Sequence, residues 1–242
     1  MPFLLKIVRG RMPIHRLMFS LVALSCAVAA ARECPVAMPN VVVERFSSAD
    51  CDTCWQGADH DRALPRNALV LDWIVPSERG NDAPLAQAAL PEAGRRVEGN
   101  LSAKESLRQI RHLSSPAGWR LKVQTGLAWN GYLALSLDLE RLAGSARTFG
   151  PHASAWLALV ERVPAGSDGT PVPRQLVRAV IGPLPLDSSR DSGVHHLRAL
   201  RLPPNSQAER LAAAGWIEDA GQMLIASQSV PDDCATTSAQ RP

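Results

Sequence analysis

Aromatic residues are scarce in this chain of 242 residues, at one tyrosine, four phenylalanines and six tryptophans. With alanine, leucine and arginine abundant, that composition points to a globular protein with a mainly aliphatic core. The chain has no Ser/His/Asp nucleophile elbow, no P-loop and no glycine-rich dinucleotide motif, so no local signature of a hydrolase, an NTPase or a nicotinamide enzyme is present. It has no internal repeat. It also has no acidic residue before Glu33, and that absence shapes the reading of the N-terminus.

Lys6, Arg9, Arg11 and Arg16 form a basic region. The uncharged apolar run Leu17 to Ala31 follows and ends in small residues suited to signal peptidase. The run is shorter than the roughly 20 residues of a membrane helix, and no later run has that length. Residues 1–31 therefore read as a cleaved secretory signal peptide, complete even from Met12. The leader holds four of the 26 basic residues and none of the 23 acidic ones, which leaves a net charge of −1 on the remainder. The alkaline isoelectric point thus belongs partly to the leader. The scattered positive charge of the rest supports neither nucleic-acid nor membrane-surface binding.

Four cysteines follow the leader: Cys34, Cys51, Cys54 and Cys234. An even number in an oxidising compartment predicts two disulfides, and four cysteines allow three pairings. Local spacing favours Cys51–Cys54. Cys34–Cys234 would then be a structural disulfide joining the two ends of the mature chain.

Cys51-Asp52-Thr53-Cys54 is the stretch around which the chemistry is organised. The β-branched run Val41 to Phe46 precedes it, and a helical pattern from Cys54 to Leu64 follows. A strand running through C-x-x-C into a helix is a redox arrangement, because a helix N-terminus carries free N–H groups and partial positive charge that favour a thiolate. Asp50 and Asp52 oppose that effect. Cys51, expected nearer the surface, is the candidate nucleophile and Cys54 the resolving thiol. Asp59 is a candidate proton acceptor beside the disulfide, with a surface carboxylate as the alternative.

Ala68 to Val75 forms a second apolar run, so strand, helix and strand give a βαβ unit. A short helix is predicted over Ala83 to Leu90. A longer one is predicted over Ser102 to His112, where Ser102 and Glu105 suit a capping box and Leu107 and Ile110 mark one face. Past Ser114-Ser115-Pro116 the pattern changes to short alternating segments. Trp119 to Gln124 and Tyr132 to Leu139 flank Asn130-Gly131, a strong hairpin signal. Further strands are predicted from Ala155, Gln175, Val194, Leu211 and Met223, with Asp219-Ala220-Gly221 turning the last hairpin. The expected architecture is α/β plus all-β: a shortened thioredoxin-like domain over residues 32–113, an antiparallel β-sandwich over 114–234, and a disordered tail over 235–242. Trp119, Trp129, Trp156 and Trp216 are expected to anchor the sandwich core.

Val42-Val43-Glu44-Arg45-Phe46-Ser47-Ser48 leading into Cys51-Asp52-Thr53-Cys54, with Ala58-Asp59 and Asp72-Trp73 beyond, resembles a family of secreted bacterial proteins. That family is catalogued as a domain of unknown function, with a thioredoxin-like N-terminal half and a β-rich C-terminal half. The chain departs from it in three places. Trp55 stands where the family has proline, Ala58-Asp59 lies one residue late, and the stretch from Asp72 to Gly99 is short. The resemblance implies a cis-proline against the disulfide, lining a substrate groove, and Pro91 is its counterpart here.

The resulting expectation is thiol–disulfide exchange by an exported, periplasmic or secreted monomer acting on an envelope protein's thiol or disulfide, without a cofactor. Two alternatives stand beside it. One is a disulfide-stapled scaffold that binds an envelope partner. The other is copper or zinc binding through Cys51, Cys54 and His60. His195 and His196, in a predicted strand, should point to opposite faces and so cannot chelate together.

Overall fold

In a computed structural model of the chain, the described residues are 38–57, 64–65, 67–97, 101–102, 105–114, 118–143, 149–186 and 193–230. The leader, Cys34, Asp59, His60 and Cys234 lie outside them.

The apolar runs become strands where expected. Val41–Ser48 (β1) and Ala68–Val75 (β2) pair in parallel, from Val41 opposite Ala68 to Ser48 opposite Val75. Every residue of β1 is buried, Glu44 and Arg45 included, as a strand covered on both faces requires. Between them lies a helix of five residues, Asp52–Gln56 (α1), where the sequence pattern suggested eleven. It stops at Gly57, whose extended backbone (φ −74°, ψ 140°) turns the chain out of the helix.

Two other expected helices are absent. Ala83 to Leu90 holds one 3-10 turn, Ala86–Ala88, and another, Gly80–Asp82, lies just before it. The helix over Ser102 to His112 is instead the strand Ser106–His112 (β3), antiparallel to β1. One half of the capping box forms, through the Glu105 side chain. The Ser102 N–H donates to the Glu105 carboxylate at 3.1 Å, and the Glu105 N–H donates to the Ser102 carbonyl at 3.1 Å. These bonds close one turn, and the chain then extends along β1. Without β3, one edge of β1 would leave its buried N–H and C=O groups unpaired. That backbone demand overrides the helical spacing of Leu107 and Ile110. Pro91–Arg96 forms a second short helix (α2).

The remaining strands are Trp119–Trp129 (β4), Tyr132–Arg141 (β5), Ser154–Val163 (β6), Arg174–Pro185 (β7), Val194–Arg201 (β8), Leu211–Asp219 (β9) and Gln222–Gln228 (β10). Asn130 and Gly131 take positive φ (49° and 76°) and turn β4 into β5. Ala220 and Gly221 (48° and 79°) do the same between β9 and β10. Both match the φ signs of a type I′ hairpin turn.

The strands assemble into a mixed seven-stranded sheet, in the order β10-β9-β6-β7-β2-β1-β3, and an antiparallel three-stranded sheet, β4-β5-β8. β7 lies beside β2 in parallel, with Leu176 opposite Asp72. This overturns the expected fold class. The molecule is mostly β-sheet with two short helices among the described residues, and it is not a helix-covered thioredoxin-like α/β fold. The large sheet draws strands from both sides of Ser114-Ser115-Pro116.

Three hydrophobic clusters form among the described residues. The first lies between the sheets and joins Leu121, Leu135 and Leu137 to Leu157, Ala213 and Ile217. Gly215 is needed there, because a Cβ at that position would stand 2.7 Å from the Val123 side chain and 3.2 Å from that of Leu137. The second lies on the opposite face of the large sheet and joins Val42, Phe46, Leu71, Trp73 and Trp216 to Ala93 of α2. The third is small and lies under α1, with Ala49, Trp55, Ile74, Ala83, Val163 and Leu176. Neighbouring residues of a strand face opposite ways, so Trp73 and Ile74 place α2 and α1 on opposite faces. Of the expected tryptophan anchors, Trp119 and Trp216 are buried and Trp156 is partly buried. Trp129, beside the hairpin tip, is 78 % exposed.

Candidate functional site

The chain leaves β1 through a turn held by backbone bonds. The Ala49 N–H donates to the Val75 carbonyl at 2.8 Å, and the Cys51 N–H to the Ser48 carbonyl at 2.9 Å. Cys51 is then the N-cap of α1. Its sulfur accepts the Cys54 backbone N–H at 3.1 Å and lies 3.5 Å from Thr53 Oγ1. Cys51 and Cys54 form a disulfide, with Cα atoms 5.2 Å apart.

The exposure of the two sulfur-bearing residues reverses the expectation. Cys51 is 2 % exposed, whereas Cys54 is only partly covered. Asp50 is half-buried and stands 3.6 Å from the exposed Arg79 guanidinium. Asp52 is exposed and accepts from Gln56 one turn on.

The backing of α1 comes from far along the chain. The Trp55 indole N–H donates to the Asp168 carbonyl at 2.7 Å. Arg174, at the start of β7, reaches across β2. Its Nη2 donates to the carbonyls of Trp55 (2.9 Å), Gly57 (3.0 Å) and Cys54 (3.4 Å). Its Nη1 lies 3.3 Å from Asp72 Oδ1, and its Nε donates to Thr170 Oγ1 at 3.1 Å. The guanidinium also sits 5.2 Å from the centre of the Trp55 ring. The other oxygen of Asp72 accepts from Arg45 Nη2 at 2.6 Å and from the Gln175 N–H at 2.7 Å. A buried Arg45–Asp72–Arg174 triad thus lies behind the disulfide helix.

Sequence reasoning missed this support. Arg45 and Asp72 do carry a signal, since a charge inside a mainly apolar strand must find a buried partner, and Glu44 beside Arg45 carries the same one. Arg174 has no such local mark.

The other sequence-predicted positions are not brought to the disulfide. Pro91 is the first residue of α2, whose Ala93 packs on the opposite face of the sheet. The cis peptide among the described residues is Gly182–Pro183. His195 pairs with Asp138, while His196 turns the other way to the Pro185 carbonyl at 3.1 Å. Burial lowers the His196 pKa, with Arg198 and His195 adding to the effect against the Pro185 carbonyl. Asp59, His60, Cys34 and Cys234 fall outside the described residues. Among the described residues no three His, Cys, Asp or Glu side chains stand together as metal ligands, and no helix is long and apolar enough to cross a membrane.

A second buried ionic cluster occupies the α2 face. Arg96 Nε donates to Glu44 at 2.9 Å and its Nη2 to Glu218 at 2.7 Å. Arg111 donates to the second Glu44 oxygen at 3.1 Å. The Arg96 guanidinium lies 4.9, 5.5 and 5.9 Å from the ring centres of Trp216, Trp73 and Trp156. Burial works against its charge, but Glu44 and Glu218 outweigh that and raise its pKa.

No family model matches the chain, and no curated protein does. Among solved structures the chain is similar to HBP35 of Porphyromonas gingivalis, with a TM-score of 0.53 and 12 % identity, over 82 % of this chain and 77 % of that one. At that identity the likeness concerns the fold alone.

Proposed function

We propose that this chain is an exported protein of the cell envelope that exchanges thiols and disulfides through Cys51 and Cys54. The observation carrying the proposal is the asymmetry of the pair. Cys54, a residue that is partly exposed, is bonded to Cys51, which is buried and whose sulfur already accepts an N–H. A substrate thiolate reaches Cys54. Its sulfur bonds to Cys54 Sγ as the Cys51–Cys54 bond breaks, and Cys51 leaves as a thiolate stabilised by the Cys54 N–H. A second substrate thiolate attacks the substrate sulfur of this mixed disulfide and releases Cys54. Two substrate thiols become one disulfide, and the protein gains two electrons and two protons as its two thiols. The reverse direction runs through the same mixed disulfide. Cys54 is therefore assigned the attacking and attacked role, and Cys51 the leaving and resolving one.

The resemblance of Val42 to Cys54 to a secreted bacterial family supports the export reading, as does the basic and then apolar N-terminus. The test is the reduction potential in a glutathione series. After alkylation it is read by mass spectrometry on the tryptic peptide 46–62, which holds Cys51 and Cys54 and no other cysteine. A potential of roughly −120 to −270 mV supports exchange chemistry and gives its direction. A value below about −300 mV means a structural staple and overturns the proposal.

A further inference from the structure

We infer that Arg174 is a positioning residue that keeps the two thiols of Cys51 and Cys54 together when the bond between them is open. The inference deepens the exchange reading, but its test does not depend on the potential lying in the enzyme range.

A helix of five residues does not hold itself in water, because nucleation is unfavourable and its last carbonyls have no partner within the helix. In α1 those carbonyls are taken up from outside. One guanidinium nitrogen serves the carbonyls of Cys54, Trp55 and Gly57. The guanidinium is itself fixed by Asp72, Thr170 and the Trp55 ring, and its side chain is 1 % exposed. Cys51 is anchored separately, through its N–H to the Ser48 carbonyl on β1. The disulfide therefore joins two backbone points that are each tied to the large sheet by other bonds. Reduction with two glutathione thiols, giving two protein thiols and one glutathione disulfide, removes only the S–S tie. The other ties keep the sulfurs at high effective concentration and favour reclosure. Arg174 thereby makes the couple more reducing.

Arg174→Lys tests this. The variant keeps a cation for Asp72, but a lysine is a point donor that cannot serve the carboxylate and three carbonyls from one plane. The disulfide's equilibrium constant against glutathione, read on peptide 46–62, should fall about tenfold, a shift of roughly 30 mV toward the oxidising side. Thr170→Val, which loosens Arg174 and leaves its charge in place, should move the constant the same way by about threefold, roughly 14 mV on the same scale. Leu135→Ala, in the cluster between the sheets, gives a loss of stability with no change at the redox pair. The inference is overturned if both Arg174→Lys and Thr170→Val leave the constant at its wild-type value. It is equally overturned if Leu135→Ala shifts the constant as far as they do. A wild-type potential below about −300 mV with the Arg174→Lys shift intact would remove the exchange reading and keep the positioning role.

Discussion

Two arginines, Arg174 buried and Arg96 largely covered, lie on opposite faces of the large sheet and use their donors differently. Arg96 binds side chains: Glu44 and Glu218 take its N–H groups, and three indole rings surround its plane. Arg174 takes one carboxylate and one hydroxyl, then turns its remaining nitrogen to the main chain of α1. Both are stacked on tryptophan and both are almost fully covered. The first arrangement ties strands β1 and β9 to α2, and any change there is felt as stability. The second holds a short segment that could not hold itself, so a change there is felt by whatever that segment carries. Burial and charge alone do not separate these roles; the identity of the acceptors does.

The comparison can be broken at several points. The largest effect is expected from Arg96→Met, which leaves Glu44, 0 % exposed, facing only Arg111. The loss should be about 3–5 kcal/mol in urea unfolding, with the Cys51–Cys54 potential unchanged. A shift in the potential would show that the two clusters are coupled through β1. Leu135→Ala should cost about 2–5 kcal/mol by cavity formation, again without a redox effect. Trp55→Phe keeps a ring over Arg174 but gives up the bond to the Asp168 carbonyl. About 1 kcal/mol is expected in thermal or urea unfolding, because that carbonyl is exposed to water once freed. The smallest effect concerns pH. His196 has a folded pKa below its ordinary value, so the unfolded chain takes up its proton first as pH falls through about 6.5. Stability contributed by neutral His196 is present above that pH and declines below it. His196→Gln should flatten this decline between about pH 7 and 5, measured as unfolding midpoints across the range.

Much of the strand content is legible in the chain, and the physical reasons are local. Val41 to Phe46 and Ala68 to Val75 are mainly apolar on both faces, so they must be covered on both. Asn130-Gly131 and Ala220-Gly221 supply the positive φ that tight hairpins need. What covers the strands is not local. The shape of a capping box at Ser102 and Glu105 is the same whether a helix follows or one turn closes and a strand departs; the open edge of β1 decides. The C-x-x-C stretch is similar. Its spacing predicts the Cys51–Cys54 bond, but which sulfur faces outward depends on how the Ser48 to Cys51 turn is tied to β1 and β2. The charges in β1 and β2 announce a buried partner and do not name it. Arg174 follows Pro171-Val172-Pro173 with nothing to mark it, because its role comes from the parallel pairing of β7 with β2.

That pairing also orders events in time. Arg174 lies 120 residues beyond Cys54, and a chain made from its N-terminus presents both cysteines long before the arginine that steadies them. Until that arginine is made, the segment lacks the guanidinium that takes up its carbonyls. Only when the strand at 174–185 pairs with β2 can α1 be held from outside. The last support of the first helix therefore arrives with one of the later strands of the chain.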